Sequence, residues 1–134
     1  MKKLMIGLLV AGSLSSPFVM ASESIKVDIT NLSNAIYYTP LLVSAHDKDT
    51  HVFQLGLPAS ASLQAMAEGG NISGLVTDLD SVGANNIANP AAGLLAPGAS
   101  ATANLVVNKG NRYLSIVAMF LPRWEERRVG EGWK

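Results

Sequence analysis

The chain has no cysteine among its 134 residues. This excludes disulfides, a thiol nucleophile, thiolate metal ligands and a lipid-modified N-terminal cysteine. An exported domain without disulfides must be held by core burial, a metal or a partner. Charge is also scarce, at 15% of residues. Between residues 22 and 122 four bases (Lys26, Lys48, Lys109, Arg112) stand against seven acids (Glu23, Asp28, Asp47, Asp49, Glu68, Asp78, Asp80), a net −3. No basic stripe exists there to follow a phosphate backbone, so nucleic acid is not an expected partner. A mildly acidic surface is compatible with a hard cation. The sequence contains no Gly-x-Ser-x-Gly elbow, no His-Glu-x-x-His and no phosphate-binding glycine loop. "GGNISG" at residues 69–74 lacks the Lys-Ser/Thr end that a phosphate loop needs. No catalytic residue is assigned, and the chain is not expected to be an enzyme.

Long apolar runs are missing as well, with one informative exception. Lys2 and Lys3 precede an apolar stretch over residues 4–14, Pro17 breaks any helix, and Val19-Met20-Ala21 fits a small-residue cleavage pattern. The stretch falls well short of the ~20 residues of a membrane-spanning helix. It reads as a secretory signal peptide over residues 1–21, cleaved after Ala21. The expected location is therefore periplasmic or secreted, with no membrane span after cleavage.

The remainder carries strand periodicity with one helical interruption. In "SIKVDITNLSN", Ile25, Val27 and Ile29 share one face and Lys26, Asp28 and Thr30 the other, as in a half-buried strand. "YYTPLLVSAHD" is extended, and "THVFQLGLP" predicts another short strand. The period then lengthens. Leu63, Met66 and Ala67 have helical spacing, Ser60 is a plausible N-cap, and Gly69-Gly70 stops the helix. Leu75, Val76 and Leu79 predict a second short helix. Residues 83–98 predict a loop. "SATANLVV" and "RYLSIVAMF" alternate around "NKGN", which predicts a hairpin. Its second strand is apolar on both faces, which predicts a central, doubly covered position. The expected fold is mainly β: an antiparallel β-sandwich with one or two short inserted helices.

One polar cluster could carry chemistry. In "AHDKDTH", His46, Asp47, Asp49 and His51 are residue types that ligate metals. In an extended chain residues 46 and 51 would point to opposite faces, because their separation is odd. A turn over residues 47–49 could reunite them. The plainer reading is a solvated Asp-rich turn between strands. Asp78 and Asp80 do not open a calcium loop. The sixth position is Gly83 as required, but the twelfth is Asn89 where a Glu is needed.

The phrases "VDITNL", "YYTPLLVSAHD", "HVFQLGLPASASLQAMAEGGN", "LLAPGASATANLVV" and "RYLSIVAMFLP" occur in order. Over roughly residues 25–122 this series resembles a bacterial spondin-domain protein of the spondin N-terminal domain family. The resemblance implies a C2-like β-sandwich. It implies an exported, non-enzymatic binding or structural module, matrix- or surface-associated, with an extracellular or periplasmic protein or glycan as partner. It also implies calcium binding in the complete domain, through ligands that follow the "LP" phrase. Here that phrase, Leu121-Pro122, is followed by "RWEERRVGEGWK", which has Arg123, Trp124 and Glu125 where the family continues Thr-Asn-Asp. No calcium ligand is carried over. Residues 22–122 are thus expected to be a spondin-like domain incomplete at its C-terminus. Residues 123–134 are expected to be artefactual, since "EERRVG" resembles the translated end of a sequencing adapter; the alternative is a genuine charged, solvated tail. A different function class remains alongside: a small secreted hydrolase or carbohydrate-active β-sandwich using the cluster from His46 to His51.

Overall fold

Ile25, Val27 and Ile29 alternate with Lys26, Asp28 and Thr30, and this period-two pattern forms the strand β1, Glu23–Thr30. A computed structural model of the chain describes residues 22–122; the signal peptide expected over 1–21 and the charged tail over 123–134 lie outside the described residues. Strand β1 runs antiparallel to β5, Ser100–Val107, in a register from Glu23 opposite Val107 to Thr30 opposite Ser100. Every second residue of β5 is buried: Ala101, Ala103, Leu105 and Val107. On the outer face of this pair, Lys26 meets Asp28 at 2.9 Å and Thr102 donates to Asp28 at 2.6 Å.

A second sheet has the order β4-β3-β6, with β3 spanning Leu42–His46, β4 spanning Asn85–Ala88 and β6 spanning Tyr113–Val117, all antiparallel. All five residues of β3 are buried. Val43 and Ala45 pack against Ala103, Leu105 and Val107 of β5, which closes the two sheets into a sandwich. Leu42 points the other way, into a cluster with Met66, Ile72, Leu75 and Leu79. A third, small pairing joins β2, Tyr37–Tyr38, to β7, Phe120–Leu121.

Met66 comes from α1, Ala61–Gly69, and Leu75 and Leu79 from α2, Ser73–Ser81, with Ile72 between them. The two helices form a layer on the outer face of the second sheet. Ser60 caps α1 by accepting the Leu63 N–H at 3.1 Å. Gly70 ends it at φ 69°, where a Cβ would lie 3.0 Å from Thr39 Cγ2. Glycine is required there for both reasons.

Four sequence expectations are corrected. β5 and β6 are not a hairpin: β5 pairs with β1 and β6 with β3. Residues 108–112 instead carry the chain between sheets, and Asn111 Nδ2 anchors them to Gly83 O and Asn85 Oδ1 at 2.9 and 2.8 Å. β6 is not central; it lies at the end of its sheet. The doubly covered strand is β3, disguised by Ser44 and His46. "THVFQLGLP" is an irregular loop, turned at Gly56 (φ 82°) with Leu57 N–H donating to Gln54 O. Within the expected loop 83–98, Asn85–Ala88 forms β4, whose two asparagines obscure its periodicity.

Candidate functional site

His46 ends β3 on the same face as Ser44 and Leu42, two and four residues back along the pleat. It is buried, and both ring nitrogens are engaged. Nδ1 lies 2.8 Å from Asp47 O, an acceptor only, so Nδ1 carries the proton. Nε2 then accepts from Ser115 Oγ on β6, also at 2.8 Å. The Tyr113 ring lies nearly parallel to the imidazole at a centroid distance of 6.4 Å. His46 therefore works as a cross-strand pin between β3 and β6.

The chain turns directly after it. Asp47 Oδ1 accepts the backbone N–H groups of Asp49 and Thr50 at 3.0 and 2.8 Å, an Asx-type turn. Hydrogen bonding by the Thr50 side chain and backbone, then by the Asp49 N–H, holds the Asp47 carboxyl below its ordinary value of 3.8. A folded-state pKa below the unfolded one contributes stability above the unfolded pKa and loses it as pH falls through the folded pKa. Asp47→Ala is accordingly expected to lower the melting temperature more at about pH 7 than in acid, where the carboxylate's contribution is progressively lost as it takes up a proton. Equal losses at both pH values would show that the turn does not depend on the carboxylate.

Beyond the turn, Lys48 Nζ grips both oxygens of Asp49 at 2.7 and 3.0 Å, with both side chains exposed. His51 donates Nδ1–H to Asp49 O at 3.0 Å, which leaves Nε2 as an acceptor with no hydrogen bond among the described residues. The loop then exposes three large apolar side chains, Phe53, Leu55 and Leu57, before Ser60 starts α1; Leu55 is 92% exposed. Two hollows adjoin this loop. One, of about 330 Å³, lies between the loop and α2, floored by Val52, Leu75 and Leu79, with Asp49, His51 and Asp78 at its rim. The other, of about 320 Å³, shares Asp49, His51, Val52 and Ser60 and extends to Phe53 and Leu57.

Of the four candidates from sequence, Asp49 and His51 thus line a common surface, Asp47 shapes the turn beneath it, and His46 faces the core. Asp78 was missed as part of this surface, because it comes from a different element some thirty residues on. Among the described residues no group of three or more His, Asp or Glu side chains converges to hold a metal ion. With Asp47 engaged by backbone and Asp49 by Lys48, these residues do not fit calcium. Among them, too, no helix is long and apolar enough to cross a membrane.

A family model described as Spondin_N matches residues 29–124. No curated protein and no solved structure shows a significant match.

Proposed function

This chain belongs to the spondin N-terminal domain family, and from that premise we propose that it is an exported, non-enzymatic module that binds a partner protein through the face formed by the loop after β3 and α2. The family is one of extracellular binding or structural modules, and an exported module meets its partners at its surface. The observation that carries the reading is the apolar triad of Phe53, Leu55 and Leu57, exposed beside two hollows. Large apolar side chains clustered on one loop and rimmed by polar groups mark contact surfaces. Phe is among the residue types enriched in protein interfaces. A protein suits this loop better than a glycan, because three aliphatic or aromatic anchors offer few hydrogen bonds to hydroxyls.

A photo-crosslinking amino acid placed at Leu55 tests this in cells that export the chain. The expected result is one discrete protein adduct, absent when the same probe replaces Lys26 on the far sheet and reduced by Phe53→Ser. Equal labelling from both positions, or none from Leu55, would overturn the reading. A glycan partner would appear as an adduct that glycosidase treatment removes. Hydrolysis that His51→Ala abolishes in a chain that still folds would argue instead for an enzyme.

A further inference from the structure

The hollow above α2 has a charge pattern that conflicts with its own helix. Asp78 and Asp80 occupy the last turn of α2, and no base is present in that turn. A helix C-terminus carries partial negative charge, so acidic groups there are unfavourable and cations favourable. Asp80 is partly accommodated by Asn86 Nδ2 at 2.7 Å. The Asp78 carboxylate makes no hydrogen bond or ion pair among the described residues and opens into the hollow. Local rules broken without compensation concentrate at functional sites.

The rest of the lining has a consistent chemistry. Asp49 is already neutralised by Lys48, so Asp78 is the uncompensated anion. His51 Nε2 adds an acceptor. Val52, Leu75, Leu79 and Val82 supply apolar wall, and among the described residues no Lys or Arg lines the hollow. A ligand that satisfies all of this has a cationic head with several N–H donors on a flexible apolar stem. Lysine and arginine side chains have that form, burying the stem along apolar surface while the head stays polar. Resting on the binding-module reading above, we infer that this hollow receives a Lys or Arg side chain from the partner protein. Its head lies between Asp78 and His51, and its stem lies on Val52 and Leu79. The net −3 of residues 22–122 favours approach of such a partner.

The test is a titration of the isotope-labelled full chain, followed by amide NMR signals. The probes are the capped tripeptides Leu-Lys-Leu, Leu-Arg-Leu and Leu-Gln-Leu. Saturable shifts at His51, Val52, Leu79 and Val82 are expected with the two cationic peptides. Asp78→Asn is expected to weaken them about fivefold, in line with a solvent-accessible ion pair. Raising salt from about 0.05 M to about 0.5 M should weaken them similarly. Asp78→Asn removes an unfavourable charge from the helix end, so its melting temperature should match or exceed the wild type. Asp78→Lys should abolish the shifts. The inference fails if Leu-Gln-Leu binds equally well, if Asp78→Asn leaves affinity unchanged, or if no peptide shifts these signals. The Leu55 crosslink separates the two levels. An adduct that persists while the peptides are inert overturns the cation inference alone; loss of the adduct overturns the binding face itself.

Discussion

Asn31→Ala is expected to destabilise the fold by about 2–4 kcal/mol, read from urea unfolding followed by circular dichroism. Asn31 follows β1 and is 0% exposed. Its amide Nδ2 donates to Ile36 O at 2.7 Å and Leu95 O at 2.9 Å. Its Oδ1 accepts from Ser33 N–H at 3.0 Å and Ser33 Oγ at 2.6 Å. Its backbone adds two more bonds, N–H to Ala99 O and O from Gly98 N–H. The side chain thus ties together the end of β1, the 31–36 turn and the 95–99 loop, with all four of its hydrogen-bonding positions filled. Alanine removes four bonds at once and leaves a cavity. Ile36 O keeps Ser33 Oγ and Leu95 O keeps Tyr38 N–H, so neither carbonyl is fully orphaned, and the loss stays below that of a wholly unsatisfied site. Asn31→Asp should be worse at neutral pH, because a carboxylate oxygen would then face two carbonyls in a buried site. Burial raises the folded-state pKa of that carboxyl. The variant is therefore most stable below the unfolded Asp pKa and loses that stability as pH rises through the raised folded-state pKa. If Asn31→Asp matches Asn31→Ala at all pH values, the polar network is not what holds these loops.

The strands with one wet face were legible from sequence. β1 and β5 alternate cleanly because their outer faces carry Lys26, Asp28, Thr102 and Asn104 in solvent. Helix α1 was legible because Ser60 and Gly70 are local start and stop signals that need no distant partner in the sequence to be recognised. Partnership between strands was not legible. A five-residue link such as residues 108–112 serves a hairpin or a crossing between sheets equally well, and only long-range pairing decides. The central strand was hidden for a different reason. β3 keeps Ser44 and His46 in a buried position, and His46 is tolerated because Ser115 and Asp47 O satisfy its ring. Apolar content alone therefore ranked β6 above β3, the reverse of their burial. The candidate surface was half legible: the turn residues cluster in sequence, whereas Asp78 meets them only once α2 packs against the sheet.

Ile116→Lys is expected to raise severalfold the protein concentration at which light scattering begins. β6 is bonded to β3 along one edge and has no strand partner on the other among the described residues. From Tyr113 to Val117 it carries neither a charge nor a proline, the usual means by which edge strands avoid pairing with other chains. Its inward face is also only half covered. Leu114 and Ile116 lie opposite Ala45 and Val43 in the ladder. The β3 residues are 1% and 0% exposed, and their β6 neighbours 46% and 45%. The covering sheet therefore seals β3 and stops short of β6. By contrast, β1 places Lys26 and Asp28 on its strand, and β4 is tied at Asn85 and Asn86. A lysine at 116 puts a charge on the unprotected edge where a second chain would add. Half-exposed and outside the core clusters, Ile116 should cost about 1 kcal/mol when replaced, a few degrees of melting temperature in a domain of this size. Val106→Lys is the control. Val106 is 62% exposed but sits on the outer face of β5, paired with Ser24 of β1. Either lysine moves the net charge of residues 22–122 toward zero, which by itself favours association. A gain from Ile116→Lys alone therefore isolates the open edge, and equal gains from both would place the cause in apolar surface wherever it lies.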